Sequence, residues 1–423
     1  MHAARKDPLV PMLFTCLKGY GPSLFARDAT AGLIVAIIAL PLSIALALAS
    51  GVGPEEGLYT AIAAGFVISA LGGSTVQIAG PTAAFATIVA GIVAKSGTEG
   101  LFAATLLAGA LLVLMGLLRL GSLIRYIHHT ITTGFTAGIA VTIAIGQLKD
   151  FLGLTYPAGT VAVETMEKLA VAAANIGTLN LWALALGVFG VLVQIFWPKT
   201  GSRVPGSLLV VLLSGALVAL CKLPVNTIGD LYTIRAGLPA LRLPSLSLAQ
   251  ITAALPDALT IAVLAGIESL LSCVVADHMT GGQHRSNMEL IAQGAGNAAS
   301  ALFGGIPATG AIARTAANIK NGGQTPVAGI VHALVLLAVL VLLMPYAALI
   351  PMPAIAAILM IVAWNMSQYR EVVRLLHGAP WQEKLVLLVT FGLTVAFDLV
   401  IAIAVGLVLH YAFIALHLLR NKK

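Results

Sequence analysis

The chain has 423 residues, of which 59% are hydrophobic and only 9% charged, with a mean hydropathy of +1.01. A soluble domain carries roughly 25% charged residues, so a soluble enzyme or binding module is excluded and the protein belongs in a bilayer. The formal charge of +7 does not point to nucleic acid, because the basic residues are scattered at the ends of apolar segments rather than along one stripe.

Residues 1–27 mix Arg5, Lys6, Lys18 and Arg27 with prolines. They read as a cytoplasmic leader, since the first apolar run is too long, and lacks a cleavage site, for a secretory signal. Apolar segments follow near 29–49, 56–71, 81–94, 100–118, 127–147, 181–197 and 204–221, then a polar stretch to about 255. A second set lies near 257–275, 287–303, 313–322, 326–345, 352–368, 384–397 and 399–418. A span needs roughly 20 apolar residues, and seven segments follow seven. The expected fold is an all-α polytopic membrane protein with 14 transmembrane segments as a 7+7 inverted repeat. Threading the chain with both termini in the cytoplasm places 16 of the 23 basic residues inside, as the positive-inside rule requires. Only Lys95, Lys149, Lys168, Lys222, Arg235 and Arg242 fall outside, and Arg314 falls within the membrane.

The third and tenth segments are the shortest, and each follows a break: Gly80-Pro81-Thr82 in one half, Ala308-Thr309-Gly310-Ala311 in the other, 230 positions apart. Extended chain precedes both, Thr75 to Ala79 and Ile306 to Thr309, and predicts short strands that pair with each other. Non-helical backbone at membrane depth is tolerated only inside protein or beside a cavity, and such breaks in matching places mark transporter sites. Pro81 fits a first helical turn, leaving the N–H groups of Thr82, Ala83 and Ala84 free. With a partner helix starting near Gly310, Ala311 and Ile312, two positive helix ends make an anion site, and Arg314 adds a full charge. The competing reading is two packing kinks with Arg314 snorkelling to an interface; an arginine within a span is normally functional.

Glu268 has no charged residue within eight positions on either side. A carboxylate that deep is costly to ionise, which makes it a candidate proton carrier. With Ser272 one turn later it is alternatively a cation ligand, and a third reading makes it a structural partner of Arg314. Asp398 reads as an outer turn, Asp277, His278 and His284 as solvated loop residues rather than a metal site, and His128-His129 as an interfacial boundary. Gly134 and Gly138 read as a helix-packing face. Cys16, Cys221 and Cys273 form neither a disulfide framework nor a zinc pattern. No cofactor and no metal are expected. There is no GxxxxGK[ST], HExxH or GxSxG, so neither a nucleotide motor nor intramembrane hydrolysis is supported.

The chain resembles the sulfate permease (SulP) family over nearly its whole length. The likeness is carried by Ala31-Gly32-Leu33 through Leu40-Pro41, Gly53-Pro54 with Gly57-Leu58-Tyr59, and Gly72-Gly73-Ser74 with Gly80 to Ala84. Glu289 to Gly294 with Gly296-Asn297, Arg314 to Asn318, and Pro326 to Gly329 complete it. The resemblance implies a core domain from 28–120 and 256–345, a gate domain from 121–222 and 346–423, and an extracytoplasmic loop at 223–255. It puts the anion on Thr82, Ala83, Gly310, Ala311 and Ile312 with Arg314 nearby, and it implies elevator-like movement of core against gate, often within a homodimer. Leu42 stands where many relatives have Gln, so only Ser43 offers a hydroxyl there. Sodium-coupled bicarbonate relatives have Asp and Thr at Glu268 and Ser272 and a Thr at Ile312, so the sodium site is incomplete and proton coupling through Glu268 is favoured. A cytoplasmic STAS domain normally follows the last segment in this family, whereas the present residues stop at Lys423.

The run around Glu268, with Ala363 to Ser367, looks most like the branch that includes C4-dicarboxylate transporters. The expectation is therefore a proton-coupled symporter of fumarate or succinate in a bacterial inner membrane. Alternatives are a sulfate or bicarbonate transporter, a channel-like anion uniporter, and a nucleobase permease of the same architecture, against which the positive helix ends and Arg314 argue. The partners implied are a small anion, a proton or sodium ion, the lipid bilayer and a second copy of the chain, with no nucleic acid.

Overall fold

The computed structural model describes residues 8–122, 128–160, 162, 164–202, 204–234, 237–243, 247–396 and 399–420; Asp398 and Arg235 lie outside these. A short helix α1 (Met12–Cys16) leads to α2 (Pro22–Ala49) and α3 (Pro54–Leu71). Both begin on proline, whose missing N–H costs nothing in a first turn. After β1 (Ala79–Gly80) comes α4 (Ala83–Leu117), which is two helices joined at Gly97. Gly97 has φ 68°, a backbone that suits glycine, and it divides the predicted third and fourth segments. Then follow α5 (His129–Gly146), α6 (Leu148–Leu152), α7 (Thr165–Ala174), α8 (Leu181–Phe196), α9 (Gly206–Cys221) and α10 (Ile228–Leu231).

The second half opens with α11 (Leu248–Thr280), followed by α12 (Ser286–Leu302), β2 (Thr309–Gly310), α13 (Ile312–Lys320) and α14 (Val327–Leu343). It closes with α15 (Met352–Met366), α16 (Tyr369–Gly378), α17 (Trp381–Ala396) and α18 (Leu399–Arg420). Each of the fourteen predicted apolar segments coincides with a helix, α4 supplying two. Among the described residues, seven helical runs are long and apolar enough to cross a membrane. Of the rest, α9 is apolar but only 16 residues long, α12 buries Glu289, Gln293, Asn297 and Ser300, and α13 has only nine residues.

Three boundaries depart from expectation. Helix α11 starts at Leu248, inside the stretch read as a polar loop to 255, because Ser247 and Gln250 form a capping box there. Helix α7 is likewise started by a capping box, of Glu164 and Glu167, in a stretch with no predicted element. Helix α16 buries none of its residues and occupies the charged interval after the twelfth segment.

The helices pack in two sets. In one, α12 lies on α4 and α3, α11 on α4, and α14 on α2 and α3; in the other, α17 lies on α5 and α18, and α15 on α8 and α5. At the α4–α12 crossing, a Cβ on Gly109 or on Gly294 would strike the other's carbonyl, so this approach depends on both. Gly134 and Gly138 face Leu387, Thr390 and Thr394 of α17, which is a packing role. At the start of α2, the fully buried Asp28 accepts from the N–H groups of Gln324 (2.8 Å) and Thr325 (3.2 Å), the Thr325 hydroxyl (2.5 Å) and Tyr20 Oη (3.0 Å). It thereby ties α2 to the loop entering α14. Burial and the bond to Asp28 push the Tyr20 hydroxyl, which precedes α2, up to about 12.

Candidate functional site

The two strands pair antiparallel, Ala79 opposite Gly310 and Gly80 opposite Thr309. Two residues each cannot satisfy their surroundings alone, and buried backbone polar groups must be paired. Side chains from the packed helices do this. Asn297 on α12 donates through Nδ2 to the Ala308 carbonyl and accepts from the Ala308 N–H, both at 2.9 Å, so its amide stands in for another strand. The Ile306 N–H donates to Thr60 Oγ1 (2.7 Å) and its carbonyl accepts from Ser300 Oγ (2.7 Å). On the other strand, the Ile78 N–H donates to Thr315 Oγ1 (3.1 Å), its carbonyl accepts from the Ala311 N–H (2.9 Å), and the Val76 carbonyl accepts from Asn318 Nδ2 (2.9 Å). The first half's extended segment is thus held by α13 of the second half, and the second half's by α12 of its own half together with Thr60 of α3.

Helices α4 and α13 start just past the ends of this pair, from Thr82 (φ −126°) and Ala311 (φ −100°), and neither has a side-chain cap. The first N–H groups of an α-helix have no partner within it, so two uncapped positive ends converge on the strands. Of the residues expected to bind the anion, Thr82 is half-buried, Ala83, Gly310 and Ala311 are buried, and Ile312 is 44% exposed. Ser43 is fully buried, with its carbonyl against Gly57 and its hydroxyl unpartnered.

Glu268 joins the two breaks. Its Oε2 accepts from Thr82 Oγ1 at 3.0 Å and from Thr309 Oγ1 at 3.1 Å, one hydroxyl from each half of the chain. The neighbouring Ser269 accepts the Gly310 N–H on Oγ (3.0 Å), which fixes α11 against β2. Ser272 does not share a ligand with Glu268: it is fully buried and its Oγ lies 3.4 Å from Thr315 Oγ1 of α13. One helical turn displaces it about 6 Å along α11, enough to meet the next turn of α13.

Arg314 and Glu268 make no ion pair; among the described residues the pairs are His129–Glu371, His284–Asp277 and Arg374–Glu371. Arg314 follows Ile312 by two residues, about 200° around the helix, and is only 2% exposed while Ile312 is open. Its Nη2 donates to the Pro81 carbonyl at 2.5 Å. The Nη1 end occupies the place a Cβ on Gly80 would take, and Gly80 has φ 158°. The charge therefore reaches the α4 end from beneath β1.

Several partners went unread in the sequence. Thr309 lies in the predicted break and Thr315 and Asn318 in the family-like run, but their bonding roles, like that of Thr60, give no local signal, since their targets are remote. Glu289, Gln293, Asn297 and Ser300 recur at helical spacing as a polar stripe inside an apolar segment, which is a readable signal. Glu289 is fully buried and accepts from the Gly73 N–H (2.9 Å), Gln77 Nε2 (2.8 Å) and Gln293 Nε2 (2.8 Å). Asp277 and His278 end α11 rather than sitting in a loop; His284 Nδ1 lies 2.6 Å from Asp277 Oδ2 and its Nε2 lies 2.9 Å from Ser286 Oγ. His128 caps α5 by accepting the Thr130 N–H and stacks on His410. Cys273 is buried against Gln77, whereas Cys221 is exposed.

Comparison with known proteins identifies the family and the fold. The family model described as Sulfate permease family matches residues 25–390. YvdB of Bacillus subtilis (strain 168), described as a candidate sulfate transporter, is 45% identical over 94% of this chain and 74% of its own length. The bicarbonate transporter BicA of Picosynechococcus sp. is 35% identical over 90% of this chain and 68% of its own. Among solved structures, the transmembrane domain of a cyanobacterial BicA superposes with a TM-score of 0.82 at 30% identity, over 92% of this chain and 98% of that one. SLC26A9 shares the fold, with a TM-score of 0.87 at 20% identity, over 97% of this chain and 68% of its own.

Proposed function

This chain belongs to the sulfate permease family of anion transporters, and from that membership we propose a secondary carrier for a small inorganic oxyanion, sulfate or bicarbonate, coupled to protons at Glu268. The relatives named for sulfate and bicarbonate support this substrate class. None of them supports the C4-dicarboxylate expected from the sequence, fumarate or succinate, which becomes a competitor to test.

The observation that carries the reading is the double bond of Glu268 to Thr82 and Thr309. An ionised Glu268 repels an anion at the two helix ends and occupies both hydroxyls. A protonated Glu268 removes that charge and releases the hydroxyls to turn toward the anion. Proton and anion then favour each other's binding by the same factor, as linkage requires, which is the thermodynamic basis of symport. Sodium is the weaker coupling ion, because Ile312 presents an aliphatic side chain where sodium-coupled relatives offer a hydroxyl. Anion binding rests on Thr82, Ala83, Gly310, Ala311 and Ile312, with Arg314 supplying charge from behind. Movement of the first helix set against the second, within a homodimer in the bacterial inner membrane and with both termini cytoplasmic, completes the proposed cycle.

The test is uptake of radiolabelled sulfate and bicarbonate into proteoliposomes under an imposed pH gradient, with fumarate as competitor. The expected result is saturable uptake that follows the proton gradient in the wild type and loses that dependence in Glu268→Gln. Uptake driven by sodium alone, or an anion current with no proton requirement, would overturn the coupling.

A further inference from the structure

Unlike Gly80, Gly310 has no positive φ, so its backbone alone does not call for glycine. What excludes a side chain there is Gln77. A Cβ on Gly310 would lie 2.2 Å from Gln77 Nε2, 2.4 Å from its Cδ and 2.9 Å from its Oε1. All three amide atoms are that close only if Gly310 rests on the flat face of the carboxamide. Such a face holds its neighbour at a fixed place when it is itself fixed, and Gln77 is bonded at both ends of its amide. Its Nε2 donates to Glu289 Oε1 (2.8 Å) and to the Ser269 carbonyl (3.3 Å), and its Oε1 accepts from Cys273 Sγ (3.4 Å). Glu289 is held in turn by the Gly73 N–H and by Gln293. The same Ser269 accepts the Gly310 N–H on its hydroxyl, so α11 grips both the amide and the residue resting on it.

We propose that Gln77 is a positioning residue for anion binding, its pinned carboxamide a rigid backing that sets the spacing between the starts of α4 and α13. Gln77 stands on the extended chain that runs through β1 into α4, and Gly310 on the one that runs through Ala311 into α13. One side chain thus gauges the gap between the two helix ends. Without it Gly310, which has no side chain to pack, shifts, and the N–H groups of α13 no longer meet an anion held by α4. The inference rests on the reading that the anion binds at Gly310, and the experiment separates the two.

The experiment is a double-mutant cycle in proteoliposomes, with radiolabelled sulfate or bicarbonate, whichever the wild type carries. Gly310→Ala is expected to raise KM about tenfold, because the new methyl drives the strand off the amide. Gln77→Ala is expected to raise KM about tenfold with kcat within about twofold, because the backing is gone. Combined, the methyl of one fills the space left by the other, and KM is expected to return to within about threefold of wild type, where independent effects would multiply to about a hundredfold. Gln77→Met fills much of the same space but makes none of the three bonds and is flexible, so it too is expected to raise KM. If Gly310→Ala leaves KM unchanged, the reading that the anion binds at Gly310 fails. If Gly310→Ala raises KM while Gln77→Ala leaves it unchanged, or the double variant shows the multiplied loss, the positioning role fails and the site stands. Should Gln77→Ala not fold, a folded Gln77→Met with the KM of the wild type also overturns the proposal.

Discussion

Replacing Asn297 by leucine should cost the protein more stability than any comparable change at a lipid-facing position. Leucine has the same number and branching of side-chain heavy atoms and is the bulkier residue, so the loss is not a cavity effect. It removes the two bonds by which the amide holds Ala308, and both residues are fully buried. The N–H and the carbonyl of Ala308 are then left unmet, at about 1–3 kcal/mol each. The expected loss is therefore about 2–6 kcal/mol, in part offset because a polar side chain no longer has to be buried. Equilibrium unfolding in mixed micelles measures it. The same change should raise KM for the transported anion, because Ala308 leads directly into Thr309 and Gly310. A loss below about 1 kcal/mol with an unchanged KM would show that the strand is held by something other than this amide.

Gly80→Ala should abolish uptake in a protein that still inserts, since the new Cβ meets the Arg314 guanidinium and the backbone at φ 158° disfavours a side chain; near-normal uptake would remove Gly80 from the site. Gly109→Val should force α4 and α12 apart and lower the melting temperature by several degrees, whereas Gly91→Val, which meets nothing within 4 Å, should not. In an absorbance titration Tyr20 should be among the last tyrosines to ionise, near 12. Its pKa is raised above the ordinary value, so its bond to Asp28 supports the fold fully below about 10 and is lost as pH climbs through about 12; Asp28→Asn should bring the ionisation down, and an unmoved titration would mean that the bond does not form in solution.

The helix positions were legible because the apolar runs are interrupted by prolines, glycines and charges at nearly every turn of the chain. The breaks at Gly80 and Gly310 were legible for the same reason, and their spacing anticipated the strand pair. Helices α7 and α16 were not, since each has only ten residues, α7 started by a local capping box and α16 carried by amphipathic patterning, with no long apolar run to mark either. Within the site, Glu268 stood out by type and isolation, and Thr82 by its place at the break after Pro81. The bonds that join Glu268 to Thr309 and to Thr82 did not, because hydrogen bonds across 41 and 186 positions leave no periodic trace. Arg314 was singled out as a charge within a span, but its orientation beneath β1 follows from helix phase against Ile312 and from the missing Cβ of Gly80. Neither is visible until α13 has a start point.

The strand pair also sets an order of assembly. Gly80 emerges from the ribosome 230 residues before Gly310, an interval of roughly ten to fifty seconds at ordinary synthesis rates. Throughout that time Gln77 and Thr82 sit in a bilayer without Glu289 and Glu268, which bind them in the finished protein. The nascent first half must therefore keep this segment wet or sheltered by the insertion machinery, and the site comes into being only when the second half arrives to close it.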